Sequence, residues 1–293
     1  MTLIDIHKWR RCVAMVAVMA GLICGNVNAE NQEPKAGSKW LDDYPKHIGF
    51  TWDASATVNA NYIWRGIYVG GLNLQAEANV GYGGAFFDLW GEIGASNWVF
   101  NGLTPEVDTS IGFARWGLKV LFMHMYYFDT YSDGTPSRFF DFSDPKDGVG
   151  GVTTEFRIRY QVSSKLPLSI LWCTRFWGRD GYNTPDGERH RAYSTYIELG
   201  YDFKLPWELM LEARLGMTPW RSLYTGFAGD FAVVNINLNL HRDWKLTDYC
   251  TLRVLGQLML NPWHIDKDNV QWKPAEPYEQ RLNASVGVGV FFE

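Results

Sequence analysis

The stretch that decides the fold is WDASATVNANYIWRG, residues 52–66. Apolar or small side chains occupy every second position, and the positions between them are mostly polar. A period of two residues is typical of a β-strand with one apolar and one polar face. The alternation continues for about fifteen residues, whereas strands of soluble proteins usually have about five or six. The stretch therefore predicts one unusually long, two-faced strand.

The beginning of the chain resembles an export signal. Lys8, Arg10 and Arg11 precede a short apolar segment, residues 13–24, and the small residue Ala29 fits a cleavage site. The apolar segment is too short for a membrane-spanning helix. We therefore expect a signal peptide at residues 1–29, a periplasmic segment at 30–49 and a barrel at 50–293.

The same alternation recurs along the rest of the chain. Short connections alternate with long ones, such as residues 129–150, 178–189 and 261–277. The predicted strands cover residues 51–66, 71–83, 85–98, 106–116, 118–130, 151–163, 167–178, 190–204, 207–219, 229–242, 250–261 and 278–292. This rhythm predicts an all-β protein, a single transmembrane antiparallel up-and-down barrel of about 12 strands, with short periplasmic turns and long extracellular loops.

A membrane explains why the strands are long and two-faced. Hydrocarbon requires every backbone polar group to be paired, which a closed sheet achieves. The apolar face would then meet outer-membrane lipids and lipopolysaccharide, and the polar face a lumen. The last strand ends in SVGVGVFFE, residues 285–293, close to the terminal-strand signal of outer-membrane proteins. We expect the bacterial cell outer membrane as the location. The alternative, an aromatic-rich soluble β core, would not need a polar face on nearly every strand.

One segment resembles a known family. Residues 55–98 contain a Tyr-x-aromatic-Arg-Gly strand end at Tyr62, Trp64, Arg65 and Gly66, then a glycine turn, and then an aromatic strand with Trp90-Gly91. In these features the segment is similar to the TorF-like outer-membrane porin family of Gram-negative bacteria. The resemblance implies the fold and the location more than it implies a solute.

Strand parity assigns side chains to the inner face. A hairpin turn at Gly84-Ala85 would place Glu77 opposite Glu92, so that the two carboxylates share a cation, share a proton or pair with an arginine. A turn at residues 163–167 would place Glu155 near Arg175. The predicted pore-lining residues are Asn59, Asn61, Arg65, Glu77, Glu92, Asp108, Glu155, Arg157, Arg159, Arg175, Glu198, Glu212, Arg214, Asn237 and Arg253.

This lining suggests a function and leaves an alternative open. Acidic residues on one wall and arginines on an opposed wall would favour passive diffusion of small polar solutes. The same charges could instead pair across the lumen and close it, giving a structural or partner-binding barrel. Phe139, Phe140 and Phe142 lie in a long loop that could plug the lumen, pack on lipid A or bind a protein partner.

Other functions are not expected. No cofactor or metal site is indicated, and a formal net charge of −5 gives no sign of a nucleic-acid partner. A lipid-modifying barrel enzyme would need a serine–histidine pair on its lipid face. His124 has the parity for that face, but its expected neighbour is Thr109. Cys173 and Cys250 lie on strands that we do not expect to be adjacent, which predicts free thiols.

Overall fold

The computed structural model describes residues 49–94, 105–128, 134–142, 151–163, 165–184, 186–228, 231–263 and 282–293. The expected signal peptide and nearly all of the expected periplasmic segment lie outside these ranges. Within them, no helix has the length and apolar character needed to cross a membrane.

Twelve strands form a closed antiparallel barrel, which confirms the predicted fold class. The first barrel strand pairs with both the last and the second, and this double pairing closes the sheet. Most strands have 10 or 11 residues, which fits the length of about 9–11 residues that crosses a bilayer at a tilt. The barrel strands are β1 (Phe50–Asn59), β4 (Asn73–Tyr82), β5 (Ala85–Gly94), β6 (Glu106–Arg115), β7 (Leu118–Tyr127), β8 (Val152–Gln161), β9 (Leu168–Gly178), β12 (Thr195–Lys204), β13 (Leu209–Thr218), β14 (Ala232–Thr247), β15 (Cys250–Leu260) and β16 (Leu282–Phe292).

Two small hairpins lie outside the barrel sheet. One is formed by β2 (Tyr62–Trp64) and β3 (Ile67–Gly70), and the other by β10 (Gly181–Asn183) and β11 (Arg189–Arg191). All connections longer than eight residues lie at one end of the barrel, called here the long-loop rim. The opposite end, with the short turns, is the short-turn rim.

The prediction of one strand over residues 51–66 was wrong. The barrel strand β1 ends at Asn59, and Asn61 marks the exit from the sheet, where its side chain donates to the Ala284 carbonyl at 2.7 Å. The chain then turns at Arg65 and Gly66, which both have positive φ angles (48° and 84°). The alternation of apolar and polar residues continues through this turn in the sequence, because the hairpin beyond β1 also has one apolar and one polar face. We call the hairpin β2–β3 with its turn, residues 62–70, the lumen hairpin.

The predicted turn at Gly84-Ala85 is displaced by one residue. Tyr82 pairs with Ala85, so the turn residues are Gly83 and Gly84, with φ angles of 63° and 99°. A two-residue turn with both φ angles positive matches the twist of a hairpin, and glycine adopts it without strain. The corrected register places Glu77 opposite Trp90.

The side chains alternate across the wall as the sequence predicts. On β5, Phe87 is exposed on the outer face while Asp88 is buried on the inner face. Apolar residues also line part of the lumen, since Leu121, Met123 and Met125 of β7 form a buried cluster inside the barrel. The described cysteines Cys173 and Cys250 are free thiols, as predicted.

Candidate functional site

The lumen hairpin reaches across the inside of the barrel. It leaves the wall between β1 and β4, and its tip contacts β8, β9 and β14 on the far side. The strand β9 lies six strands away from β1 in a ring of twelve. The hairpin therefore narrows the lumen near the long-loop rim.

Arg65, at the tip of the hairpin, holds it to the opposite wall. Its Nη1 donates to Glu155 Oε2 at 2.8 Å and its Nη2 to Glu155 Oε1 at 2.9 Å. Nη1 also donates to the Tyr224 hydroxyl at 2.8 Å, and Nη2 to Cys173 Sγ at 3.0 Å. A forked, charge-assisted pair is among the stronger hydrogen-bonded contacts. Arg157 donates to the same carboxylate, so Glu155 accepts from two arginines.

Apolar packing supports this ion pair. Ile67 of the hairpin is buried in a cluster with Cys173, Tyr196, Tyr224 and Val234. These residues come from β9, from β12, from the connection before β14 and from β14 itself. The hairpin is therefore fixed by a small core inside the lumen as well as by Arg65.

The turn of the hairpin lies against the wall. A Cβ atom built on Gly66 would stand 1.9 Å from the Val234 carbonyl oxygen, so only glycine fits there. The side chain of Asn261 donates to the Gly66 carbonyl at 3.0 Å.

The predicted pore-lining residues fall into three groups. Arg65, Glu155, Arg157 and Arg175 surround the hairpin tip, whereas Asn61 lies at the rim and bonds the backbone. A second group on β12, β13, β14 and β15 is largely internally paired: Arg214 lies 2.6 Å from Asp202 and 3.3 Å from Glu212, and Arg253 lies 2.6 Å from Asp243. Glu198 belongs to the second group, since it lies 3.8 Å from Arg214 and accepts a hydrogen bond of 2.6 Å from the Tyr196 hydroxyl. The remaining inner-face residues, whose role in solute passage stays a prediction, are Asn59, Glu77, Glu92, Asp108, Arg159 and Asn237.

The opposed carboxylate pair is not the one that the sequence suggested. The corrected turn separates Glu77 from Glu92, and Glu92 lies opposite Glu106 instead. Asp108 follows two residues along β6 on the same face. Glu106 was missed in the list of pore-lining residues, although its parity with Asp108 could have found it.

The acidic and basic walls are neighbours rather than opposed. The acidic residues lie on β4, β5 and β6, and the arginines on β8 and β9, with only β7 between them. In a ring of twelve strands, β4 to β6 face β12 to β14. The odd or even position of a residue in its strand assigns its side chain to the inner or the outer face. The order of the strands around the ring decides which inner side chains face one another across the lumen.

The phenylalanine loop lies on the outside of the barrel where it is described. The ring of Phe139 is 4.6 Å from the ring of His124, and that of Phe142 is 5.3 Å away. His124 shares its face with Phe122, which is exposed on the outer wall. Phe140 projects outward with 78% exposure. The described residues 134–142 therefore cover the outer wall rather than the lumen, and residues 129–133 and 143–150 lie outside the description.

The arrangement of His124 does not resemble that of a hydrolase. It pairs with Thr109, as expected, and packs beneath Phe139. In the described ranges, no group of three or more His, Cys, Asp or Glu residues is arranged to hold a metal ion.

One buried carboxyl lies in a connection at the long-loop rim. Asp180 follows β9, and its Oδ2 accepts a hydrogen bond of 2.9 Å from the backbone N–H of Ser194. Burial raises the pKa of the Asp180 carboxyl to about 6, against the opposing effect of Arg175.

Comparisons with known proteins yield only remote likenesses. No protein-family model and no curated protein matches the chain, so the resemblance to the TorF-like family stays an expectation. Among solved structures, the KdgM porin matches with a TM-score of 0.41 and 8% identity, over 82% of this chain and 98% of that chain. The NanC porin matches with a TM-score of 0.45 and 9% identity, over 83% and 100% of the two chains. Likenesses this remote carry no functional argument, and the fold rests on the strand pairing.

Proposed function

We propose that this chain is a bacterial outer-membrane barrel through which small polar solutes diffuse passively. The solutes would follow a lumen lined by charges of both signs and narrowed by the lumen hairpin near the long-loop rim. The long loops would face the outside of the cell and the short turns the periplasm, as is usual for such barrels.

The observation that carries the proposal is the distribution of side chains across the wall, with apolar ones outside and charged ones inside, the reverse of a soluble protein. Large apolar side chains are exposed on the outer wall, for example Ile111 at 60% and Val286 at 66%. A belt of this kind is unfavourable in water at about 25 cal/mol per Å², and it is stable in hydrocarbon. Charged side chains lie on the inner wall, where water or ion pairs accommodate them.

Parts of the inner wall between the short-turn rim and the hairpin are exposed. Asp53 and Glu77 are exposed there although they face inward. The side chains of Glu212 and Arg253 are 31% and 26% exposed. A wet lining of mixed sign favours small polar solutes over ions of one sign.

Conductance in planar bilayers tests this proposal. We expect the refolded protein to conduct, and a variant with residues 62–70 replaced by a Gly-Ser linker to conduct more. Deleting residues 139–142, which lie on the outer wall, is the matched control and should leave conductance unchanged. The absence of conductance in all three proteins contradicts passive diffusion.

A second candidate is a closed barrel with a structural or partner-binding role. It is favoured by the fixation of Arg65 on the fully buried Glu155 together with the apolar cluster around Ile67. A protein partner would then bind at the long loops. Conductance in the linker variant alone, with none in the unaltered protein, would support this candidate.

A further inference from the structure

Three carboxylates meet on the inner face of β5 and β6 beside the lumen hairpin. Glu92 lies directly opposite Glu106, and Asp108 is the next inward residue of β6. All three side chains are buried. Carboxylates this close repel one another unless a proton or a cation lies between them.

Two of the carboxylate oxygens point to a missing ligand. Among the described residues, Glu92 Oε1 and Asp108 Oδ1 have no hydrogen-bond partner. The side chains of Glu92 and Asp108 are only 3% and 7% exposed. Buried polar atoms are nearly always paired in folded proteins, so an additional donor is expected at this position.

Arg157 is engaged elsewhere, and Arg175 is engaged in part, since its Nε has no hydrogen-bond partner among the described residues. Arg157 donates to Glu155, and Arg175 donates to the Arg179 carbonyl and lies over the Trp64 ring at 5.4 Å. Their charges attract the carboxylates, with Arg157 acting on both Glu106 and Asp108 and Arg175 on Glu106.

The surroundings fit an organic cation better than a metal ion. The described carboxylates do not have the arrangement of a metal site. Tyr62 of the lumen hairpin lies within electrostatic reach of all three carboxylates, and its ring centroid is 6.0 Å from that of Trp90. Tyr127 pairs across the strands with Glu106, and Met125 with Asp108. Aromatic faces beside carboxylates are a common setting for ammonium groups.

We propose that Glu92, Glu106 and Asp108, together with Tyr62, Trp90 and Tyr127, bind the ammonium group of a small organic cation. The inference rests on the proposed function in one respect, since the cation reaches the site through the lumen.

Calorimetric titration of the refolded, full-length mature protein in detergent tests the site with n-butylammonium chloride as the probe. The unaltered protein should bind the probe, and the Glu92→Gln and Asp108→Asn variants should each bind it about tenfold more weakly or worse, because each loses a hydrogen bond to a charged group. Glu77→Gln is the matched control, since it removes the same charge from the neighbouring strand and should retain the affinity. The uncharged probe n-butanol should not bind at this site.

Each contrary outcome overturns the inference. These outcomes are no binding of n-butylammonium, equal loss in the Glu77→Gln control, or Mg²⁺ binding with the same dependence on Glu92 and Asp108. Two independent substitutions keep the test decisive if one variant fails to refold. Binding without conductance contradicts passive diffusion but not the ammonium site, so the two proposals fail separately.

Discussion

At the scale of single residues, Arg65 has the largest role in shaping the lumen. Its guanidinium joins the hairpin to Glu155, Tyr224 and Cys173, which belong to three different parts of the chain. The buried Glu155 also accepts from Arg157, so Arg65 is the second partner of a charge whose complete isolation would destabilise the protein by about 3–5 kcal/mol. The motif around Arg65 was visible in the sequence, but its partners were not, since they lie 90 or more residues away.

Asp180 gives a prediction of pH dependence. Its pKa is raised to about 6 in the folded protein, above the value of about 3.9 for an unfolded chain. The protonated carboxyl therefore favours folding below about pH 4, and this contribution is lost as the pH rises through about 6. Relative to Asp180→Asn, the unaltered protein should lose about 1–3 kcal/mol of stability between pH 4 and pH 7.

Urea unfolding of both proteins at pH 4 and pH 7, followed by tryptophan fluorescence, measures this difference. Asparagine keeps an oxygen for the Ser194 N–H, so the control isolates the charge. An identical pH dependence in the two proteins would mean that Asp180 titrates normally.

At the scale of elements, the sequence pattern did not predict the positions of two turns. The turn at Gly83-Gly84, one residue earlier than predicted, moves Glu77 away from Glu92. The separate register of β5 with β6 places Glu92 opposite Glu106. The turn at Arg65-Gly66 folded the end of a seemingly continuous strand into the lumen. Hydrophobic alternation has the same period on both sides of a hairpin, so it predicts faces well and turn positions poorly.

Gly66 supports a prediction about the hairpin. Gly66→Ala would place a methyl group 1.9 Å from the Val234 carbonyl oxygen at a φ angle of 84°. The hairpin should therefore move away from the wall while the barrel still closes. Trypsin should then cleave after Arg65, whose burial protects it in the unaltered protein. Mass spectrometry of the fragments detects this cut.

Gly256→Ala is the control for this experiment, since a Cβ atom at Gly256 meets nothing within 4 Å. It should leave the cleavage pattern unchanged. If Gly66→Ala remains as resistant as the control, the hairpin is not held by close contact at this turn.

At the scale of the whole molecule, the barrel separates an apolar exterior from a mixed interior. The exterior presents large apolar side chains, whereas the interior contains an acidic sector on β4 to β6, an apolar strip on β7, an arginine sector on β8 and β9, and paired charges on β12 to β15. The lumen hairpin and its apolar cluster lie on the side of the long loops. The narrowing by the hairpin therefore lies at one end of the lumen.

The outer wall supports a prediction about the membrane. Ile111 lies near the middle of β6 with its side chain exposed outward. Ile111→Arg should destabilise the barrel in lipid vesicles by about 2–4 kcal/mol, the usual cost of arginine at the bilayer midplane. The control Gln257→Arg places the same charge on the inner face of β15 and should cost much less. Denaturant unfolding in vesicles compares them, and equal costs would contradict a lipid-facing outer wall.

The sequence by itself determined the twelve strands, the face of most side chains and the alternation of short and long connections. These features are local, because the period of two follows from the geometry of each strand. It also identified Glu155 and Arg175 as neighbours, since the short turn between their strands left little choice of register.

Only the tertiary structure decided what happens inside the ring. The entry of residues 62–70 into the lumen and the partners of Arg65 depend on closure of the sheet and on turn geometry. The meeting of Glu92 with Glu106 depends on the register of β5 with β6, which the long connection between these strands left open. Closure of the barrel brings β1 opposite β9. No periodic pattern in the sequence indicates this long-range relation. The phenylalanine loop shows the same limit: its composition suggested burial, but only its contacts with His124 revealed which wall it covers.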